Sequence, residues 1–147
     1  MNQEYLFVYG TLRRDIESEM YHLLARHADF IGDATYQGRL YRIDYYPGVI
    51  PSENPAHQVK GDVYLLREHE RLLSRLDEYE ECGPRFAEPT EYVRERQEVV
   101  LCIGRKLIAW VYVYNRSTKG LPEITSGDFL SNRAEQDKIS KCDKQHR

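Results

Sequence analysis

The sequence predicts a curled or closed antiparallel β-sheet accompanied by two helices, and three observations lead there. Between residues 30 and 66, Gly32, Gly38, Pro47, Gly48, Pro51, Pro55 and Gly61 punctuate short aromatic and β-branched runs, the texture of closely spaced strands joined by tight turns. Residues 91–103 and 106–115 read as a hairpin turning at Gly104-Arg105. Residues 17–28 and 68–81 carry apolar side chains at helical spacing.

In chain order, residues 4–9 form a first strand, mostly apolar and therefore central. Helix 17–28 places Met20, Leu23, Leu24 and His27 at helical spacing, and His27 reads as an ordinary helix histidine. Strands are expected at 35–43, 48–51 and 57–65, then helix 68–81, then a loop marked by Gly83, Pro84 and Pro89. In the last strand Trp110, Tyr112 and Tyr114 share one face and Val111 and Val113 the other, because side chains alternate along a strand. A loop with one short helical stretch around 128–130 follows. Residues 1–132 are expected to form one domain, and residues 133–147 a polar, frayed tail.

A chain of 147 residues is long enough to bury a core without covalent staples. Its 41% hydrophobic and 31% charged residues suit a soluble globular protein. The net charge of −3 exerts no long-range pull on nucleic acid or anionic membrane. No apolar run reaches the length of a membrane span, and MNQEYLFVYG lacks a secretion pattern; the expected location is the cytoplasm. Cys82, Cys102 and Cys142 are odd in number and widely spaced, which argues against a disulfide framework. The five histidines do not fall at metal-ligand spacing, so no metal is expected. Twelve tyrosines suit strands, and tyrosine also lines pockets well.

Two places carry chemistry. On a helical wheel at about 100° per residue, with Leu72 at zero, Leu76 falls near 40°, Leu73 near 100° and Tyr79 near 340°. Glu78 and Glu81 fall on the wet side, near 240° and 180°, whereas Glu80 falls near 80°, among the leucines. Burial raises the pKa of a carboxylate, and so does a helix C-terminus. Both effects move Glu80 toward what a general base needs at neutral pH. The structural alternative is a salt bridge from Glu80 to an arginine such as Arg94.

The second place is FVYGTLR, residues 7–13. A strand that stops at Gly-Thr can present the N–H groups of Gly10, Thr11 and Leu12 as an anion-binding concavity, and glycine lets a ligand approach the backbone. The alternative is an ordinary strand-to-loop turn. A nucleotide phosphate loop is a poor alternative, since GxxxxGK[ST] is absent. Arg13 and Arg14 either add positive potential or are simply solvated.

With these residues in view, the chain resembles the γ-glutamylcyclotransferase-like family, in the branch of γ-glutamylamine cyclotransferases and avirulence-induced-gene-like proteins. Tyr9-Gly-Thr-Leu-Arg13 resembles the family signature. Gly38-Arg-Leu-Tyr41, Tyr46-Pro-Gly48, Val59-Lys-Gly61-Asp-Val-Tyr64, Leu76-Asp-Glu-Tyr-Glu80, Tyr92-Val-Arg94 and Ala109-Trp-Val-Tyr112 follow in the family's order. The likeness spans roughly residues 4–130. It implies an α+β fold, a small closed, mostly antiparallel β-barrel with flanking helices and a cavity at one end. It also implies cyclisation of a γ-glutamyl amine or γ-glutamyl amino acid to 5-oxoproline with release of a free amine. Glu80 would be the catalytic acid/base, and Tyr9, Gly10, Thr11, Leu12 and Tyr92 would bind the small-molecule substrate, with no cofactor. Many relatives carry a glycine directly after the catalytic glutamate. Here Glu81-Cys82-Gly83 follows, so a helix end displaced by one residue would favour Glu81, whereas the wheel favours Glu80.

Two other classes of function compete. One is a binding protein that keeps the cavity and takes a small carboxylate or γ-glutamyl compound without turnover. The other is a thiol amidase using Cys82, for which no histidine stands at a suitable spacing.

Overall fold

The structure, a computed structural model of the chain, describes residues 3–10, 19–43, 46–79 and 90–129. The elements are β1 (Tyr5–Val8), α1 (Glu19–His27), β2 (Ala28–Arg42), β3 (Pro47–Pro51), β4 (Gln58–Leu66), α2 (His69–Tyr79), β5 (Tyr92–Leu101) and β6 (Lys106–Tyr114). The strands are ordered β3-β2-β4-β1-β6-β5, and β5 pairs back onto β2. That last pairing closes a barrel of β2, β4, β1, β6 and β5, with β3 attached to β2 outside the ring. Every pairing is antiparallel except β1 with β6, which is parallel at Leu6 and Trp110. Closure leaves none of the five ring strands with an open edge.

Strand alternation divides the buried side chains into two layers. Phe7, Tyr36, Val59, Val63, Val99 and Val111, among others, fill the barrel interior. Leu6, Val8, Tyr64, Tyr92, Tyr112 and Tyr114 point outward and are covered by Leu24 of α1 and Leu72, Leu73 and Leu76 of α2. The expected faces of β6 are therefore both used: Val111 and Val113 inward, Tyr112 and Tyr114 under the helices. Each fully buried leucine contributes about 1.5–3 kcal/mol of burial free energy.

Two expectations are modified and one is described only in part. β2 begins at Ala28, directly after α1, and not near residue 35. Its first half exposes Phe30 and Ile31, and a register shift between Phe30 and Gly32 reverses the alternation. Such a bulge sends Ala28 toward the helices and Ala34 into the barrel. Second, α2 is described from His69 to Tyr79, so the expected last residues, 80 and 81, lie outside the described residues. Third, the stretch after β6, expected as a loop, supplies core: Ile124 and Phe129 are buried in the barrel interior. Backbone bonds from Ile124 N–H to Leu40 C=O (2.7 Å) and from Lys60 N–H to Gly127 C=O (2.7 Å) hold it there. The hairpin turns where expected, with Gly104 at φ 94°, a left-handed conformation that glycine adopts without steric cost. Met20's side chain, residues 80–89 and residues 130–147 lie outside the described residues. Among the described residues, no helix is long and apolar enough to cross a membrane.

Candidate active site at one rim of the barrel

Because β1 and β6 are parallel, both end at the same rim. β5, antiparallel to β6, begins there with Tyr92 opposite Tyr114. β3 begins there too, since Pro47 packs on Gly10 and Gly48 packs on Tyr114. The rim therefore gathers Tyr9, Gly10, Pro47, Tyr92, Tyr112 and Tyr114.

Two tyrosines named from the sequence tie this rim together. The Tyr9 hydroxyl donates to the Tyr112 carbonyl at 2.5 Å, and the Tyr92 hydroxyl donates to the Pro47 carbonyl at 2.5 Å. Both side chains are buried. Each bond locks a strand end to a neighbour distant in sequence. Tyr46 and Tyr114 flank the Tyr92 ring at centroid distances of 6.4 and 5.8 Å, and the Tyr46 hydroxyl donates to Glu91 at 2.6 Å. Burial, and then the nearby Glu91 charge, push the Tyr114 hydroxyl's pKa up.

Gly10, two residues beyond the end of β1 at Val8, lies against Pro47. A Cβ built on Gly10 would stand 2.6 Å from Pro47 Cγ and 2.8 Å from its Cδ. The close approach that makes glycine necessary here is thus made by a proline ring of the same chain. Thr11 and Leu12, the other backbone donors expected from the sequence, lie outside the described residues, as do Arg13 and Arg14.

The end of α2 comes to the same rim from outside the barrel. Asp77 Oδ1 accepts from Arg94 Nε at 2.7 Å and from the Tyr112 hydroxyl at 2.7 Å, and Asp77 Oδ2 accepts from Arg94 Nη2 at 3.0 Å. The Arg94 guanidinium also lies over the Trp110 ring, 4.3 Å from its centroid. Arg96 lies over the same ring at 4.4 Å. It donates to Glu4 Oε1 at 3.0 Å, and that oxygen also accepts from Trp110 Nε1 at 2.7 Å. Glu4 is buried, and burial alone would raise its pKa. The Trp110 and Arg96 hydrogen bonds and the Arg96 charge outweigh burial and hold it below the ordinary value.

Glu80, Glu81 and Cys82 lie outside the described residues. The structure describes α2 up to Tyr79, the residue before Glu80. Arg94, considered from the sequence as a partner for Glu80, engages Asp77; a pairing with Glu80 falls outside the described residues. Sequence reasoning missed Asp77, although a signal existed. It falls near 140° on the same wheel, at the edge of the leucine stripe, where a carboxylate can reach across to a neighbouring strand.

A groove between α1 and α2, lined by Leu23, His27, Arg67, Arg71 and Arg75 among others, lies toward the beginning of α2 and away from this rim. Cys102 is exposed at the β5–β6 turn, at the opposite rim. Among the described residues, no group of three or more His, Cys, Asp and Glu side chains could hold a metal ion.

A family model described as "Gamma-glutamyl cyclotransferase, AIG2-like" matches residues 6–131. The γ-glutamylcyclotransferase family protein YtfP of Escherichia coli (strain K12) is 32% identical over 126 residues, spanning 85% of this chain and 95% of its own. The γ-glutamylaminecyclotransferase of Bos taurus is 34% identical over 106 residues, 65% of this chain and 56% of its own. The crystal structure of an AIG2-like protein from Mus musculus superposes with a TM-score of 0.65 at 25% identity, covering 83% of this chain and 86% of that one. The fold is shared with that structure, and the chain belongs to the γ-glutamyl cyclotransferase, AIG2-like family.

Proposed function

We propose that the protein is an enzyme that cyclises a γ-glutamyl amine or γ-glutamyl amino acid, releasing 5-oxoproline and a free amine. Family membership supports cyclotransferase activity in general. The observation that supports the finer reading is the meeting at one rim of Gly10 just beyond β1, Tyr92 at the start of β5 and the last turn of α2. The next residues in the sequence after Gly10 are Thr11 and Leu12, and the next after Tyr79 is Glu80.

In this mechanism the substrate's own α-amine attacks its γ-carbonyl carbon. A C–N bond forms to close the five-membered ring, and the γ-amide C–N bond breaks. Glu80 takes the proton from the attacking amine and delivers it to the departing nitrogen, so one carboxylate serves as base and then as acid. The N–H groups of Gly10, Thr11 and Leu12 hold the substrate carboxylate or the developing oxyanion. Tyr9 and Tyr92 shape the mouth. Intramolecular attack asks the protein chiefly to hold the substrate folded, and orientation of this kind is worth several kcal/mol, up to about 7–11. The name of the bovine relative makes γ-glutamyl amines the first substrates to try.

The test incubates the protein with γ-glutamyl-p-nitroanilide, γ-glutamylmethylamide and γ-glutamylalanine and measures 5-oxoproline. We expect product from at least one, and none from Glu80→Gln with its fold retained. Full activity in Glu80→Gln rejects the mechanism. Thermal stabilisation by these compounds without product supports a binding protein on the same fold instead.

A further inference from the structure

We infer that Asp77, gripped by Arg94 and Tyr112, is a positioning residue that fixes the last turn of α2, from which the sequence runs on to Glu80, against the rim that carries Gly10. The inference rests on the mechanism above and adds residues that do not touch substrate.

The starting point is a conflict between sequence and local physics. A helix C-terminus carries partial negative charge and favours basic side chains. The last turn of α2 has no basic residue; it carries Asp77 and Glu78, and Glu80 and Glu81 follow. Helix stability alone does not select this pattern. The countercharge comes from outside the helix. Arg94, on β5, meets Asp77 through two hydrogen bonds, and both side chains are largely sheltered, at 22% and 23% exposure. A two-pronged arginine–carboxylate bond fixes orientation as well as distance. From β6, Trp110 lies beneath the guanidinium and Tyr112 donates to the same Asp77 carboxylate. The leucine stripe alone sets which face of α2 is down. These directional bonds also set how far the helix slides and turns on the sheet.

The Tyr112 residue that donates its hydroxyl to Asp77 accepts, at its carbonyl, the Tyr9 hydroxyl. One residue of β6 thus links the end of α2 to the residue before Gly10. An acid placed just beyond Asp77 is thereby referenced to the backbone that would hold the substrate. A displacement of about 1 Å in a catalytic group costs on the order of 100-fold in rate.

The network offers an internal control. Its other end, Glu4–Arg96, stacks on the same Trp110 ring but ties the residue before β1 to β5; its reach to α2 is the charge of His69 at the first residue of the helix, away from the last turn. The experiment compares Asp77→Ala, Arg94→Met and Arg94→Lys with Arg96→Met. Amide hydrogen exchange is followed in α2, and turnover is measured on whichever γ-glutamyl probe the wild-type protein cyclises. We expect Asp77→Ala and Arg94→Met to speed exchange in the last turn of α2 at least about tenfold, with the barrel strands unchanged. We expect their kcat to fall about 10- to 100-fold with KM within about twofold. Arg94→Lys, which keeps the charge but loses the fork, should recover part of both. Arg96→Met should lower the melting temperature while leaving exchange in α2 and kcat as they are.

Unchanged exchange at the end of α2, or a kcat loss shared equally by Arg96→Met, overturns the positioning role. So does wild-type kcat in Asp77→Ala while Glu80→Gln is inactive. Activity in Glu80→Gln, or a wild-type protein that turns over none of the probes, overturns instead the mechanism on which the role depends.

Discussion

Replacing Gly10 by alanine tests the rim most directly, because the structure specifies what the new methyl group meets. The added Cβ would stand 2.6 Å from Pro47 Cγ, and ordinary contact begins at 3.4 Å. One side must therefore retreat by about 0.8 Å. The proline ring cannot rotate away as a flexible side chain would, and its carbonyl is held by the Tyr92 hydroxyl. Overpacking of this kind costs about 1–3 kcal/mol, which for a domain of this size lowers the melting temperature by about 3–10 °C. The assay is denaturant unfolding of Gly10→Ala, Pro47→Ala and the double variant. Pro47→Ala removes both clashing atoms, so the double variant should be more stable than the two single losses added together, by about 0.5–3 kcal/mol. Additivity within about 0.5 kcal/mol would refute the claim that Pro47 is what demands glycine. Turnover supplies a second reading. If the double variant regains stability but not 5-oxoproline release, Gly10 serves the ligand as well as the proline.

Leu76 is fully buried where α2 meets the barrel, so Leu76→Ala should cost about 2–5 kcal/mol, read as a lower unfolding midpoint. Glu4 gives a pH dependence. Its pKa is lowered in the folded protein, so its contribution is present above its ordinary value of 4.5 and is lost as pH falls through the lower folded value. The stability gap between wild type and Glu4→Gln should therefore close on acidification below that value, and a gap that stays constant across that range contradicts the assignment.

The leucine stripe of α2 was legible because Leu72, Leu73 and Leu76 repeat at helical spacing and all are buried. The hairpin was legible because Gly104 sits between two alternating runs. The first half of β2 was not. Asp29, Gly32 and Asp33 imitate turn signals, Phe30 and Ile31 are exposed, and the bulge puts the apolar positions out of phase. Strand assignment there depends on pairing with β4, which no local pattern encodes. At the site, the sequence pointed to Gly10, Tyr9 and Tyr92, and these do converge on one rim. It did not reveal the Pro47 contact or the Asp77–Arg94 bond. Both join residues far apart in the chain, and their geometry exists only once the barrel has closed.

The parallel seam between β1 and β6 dictates an order of assembly. The first strand of the ring has as one of its neighbours the last, joined at Leu6 and Trp110, so during synthesis the seam stays open until nearly the whole barrel has emerged. Until then β1 offers a bare, apolar flank to any other chain nearby. Sealing the ring requires contacts between distant parts of the chain, which slows folding. A product truncated before residue 106 lacks β6 altogether and keeps that flank permanently adhesive.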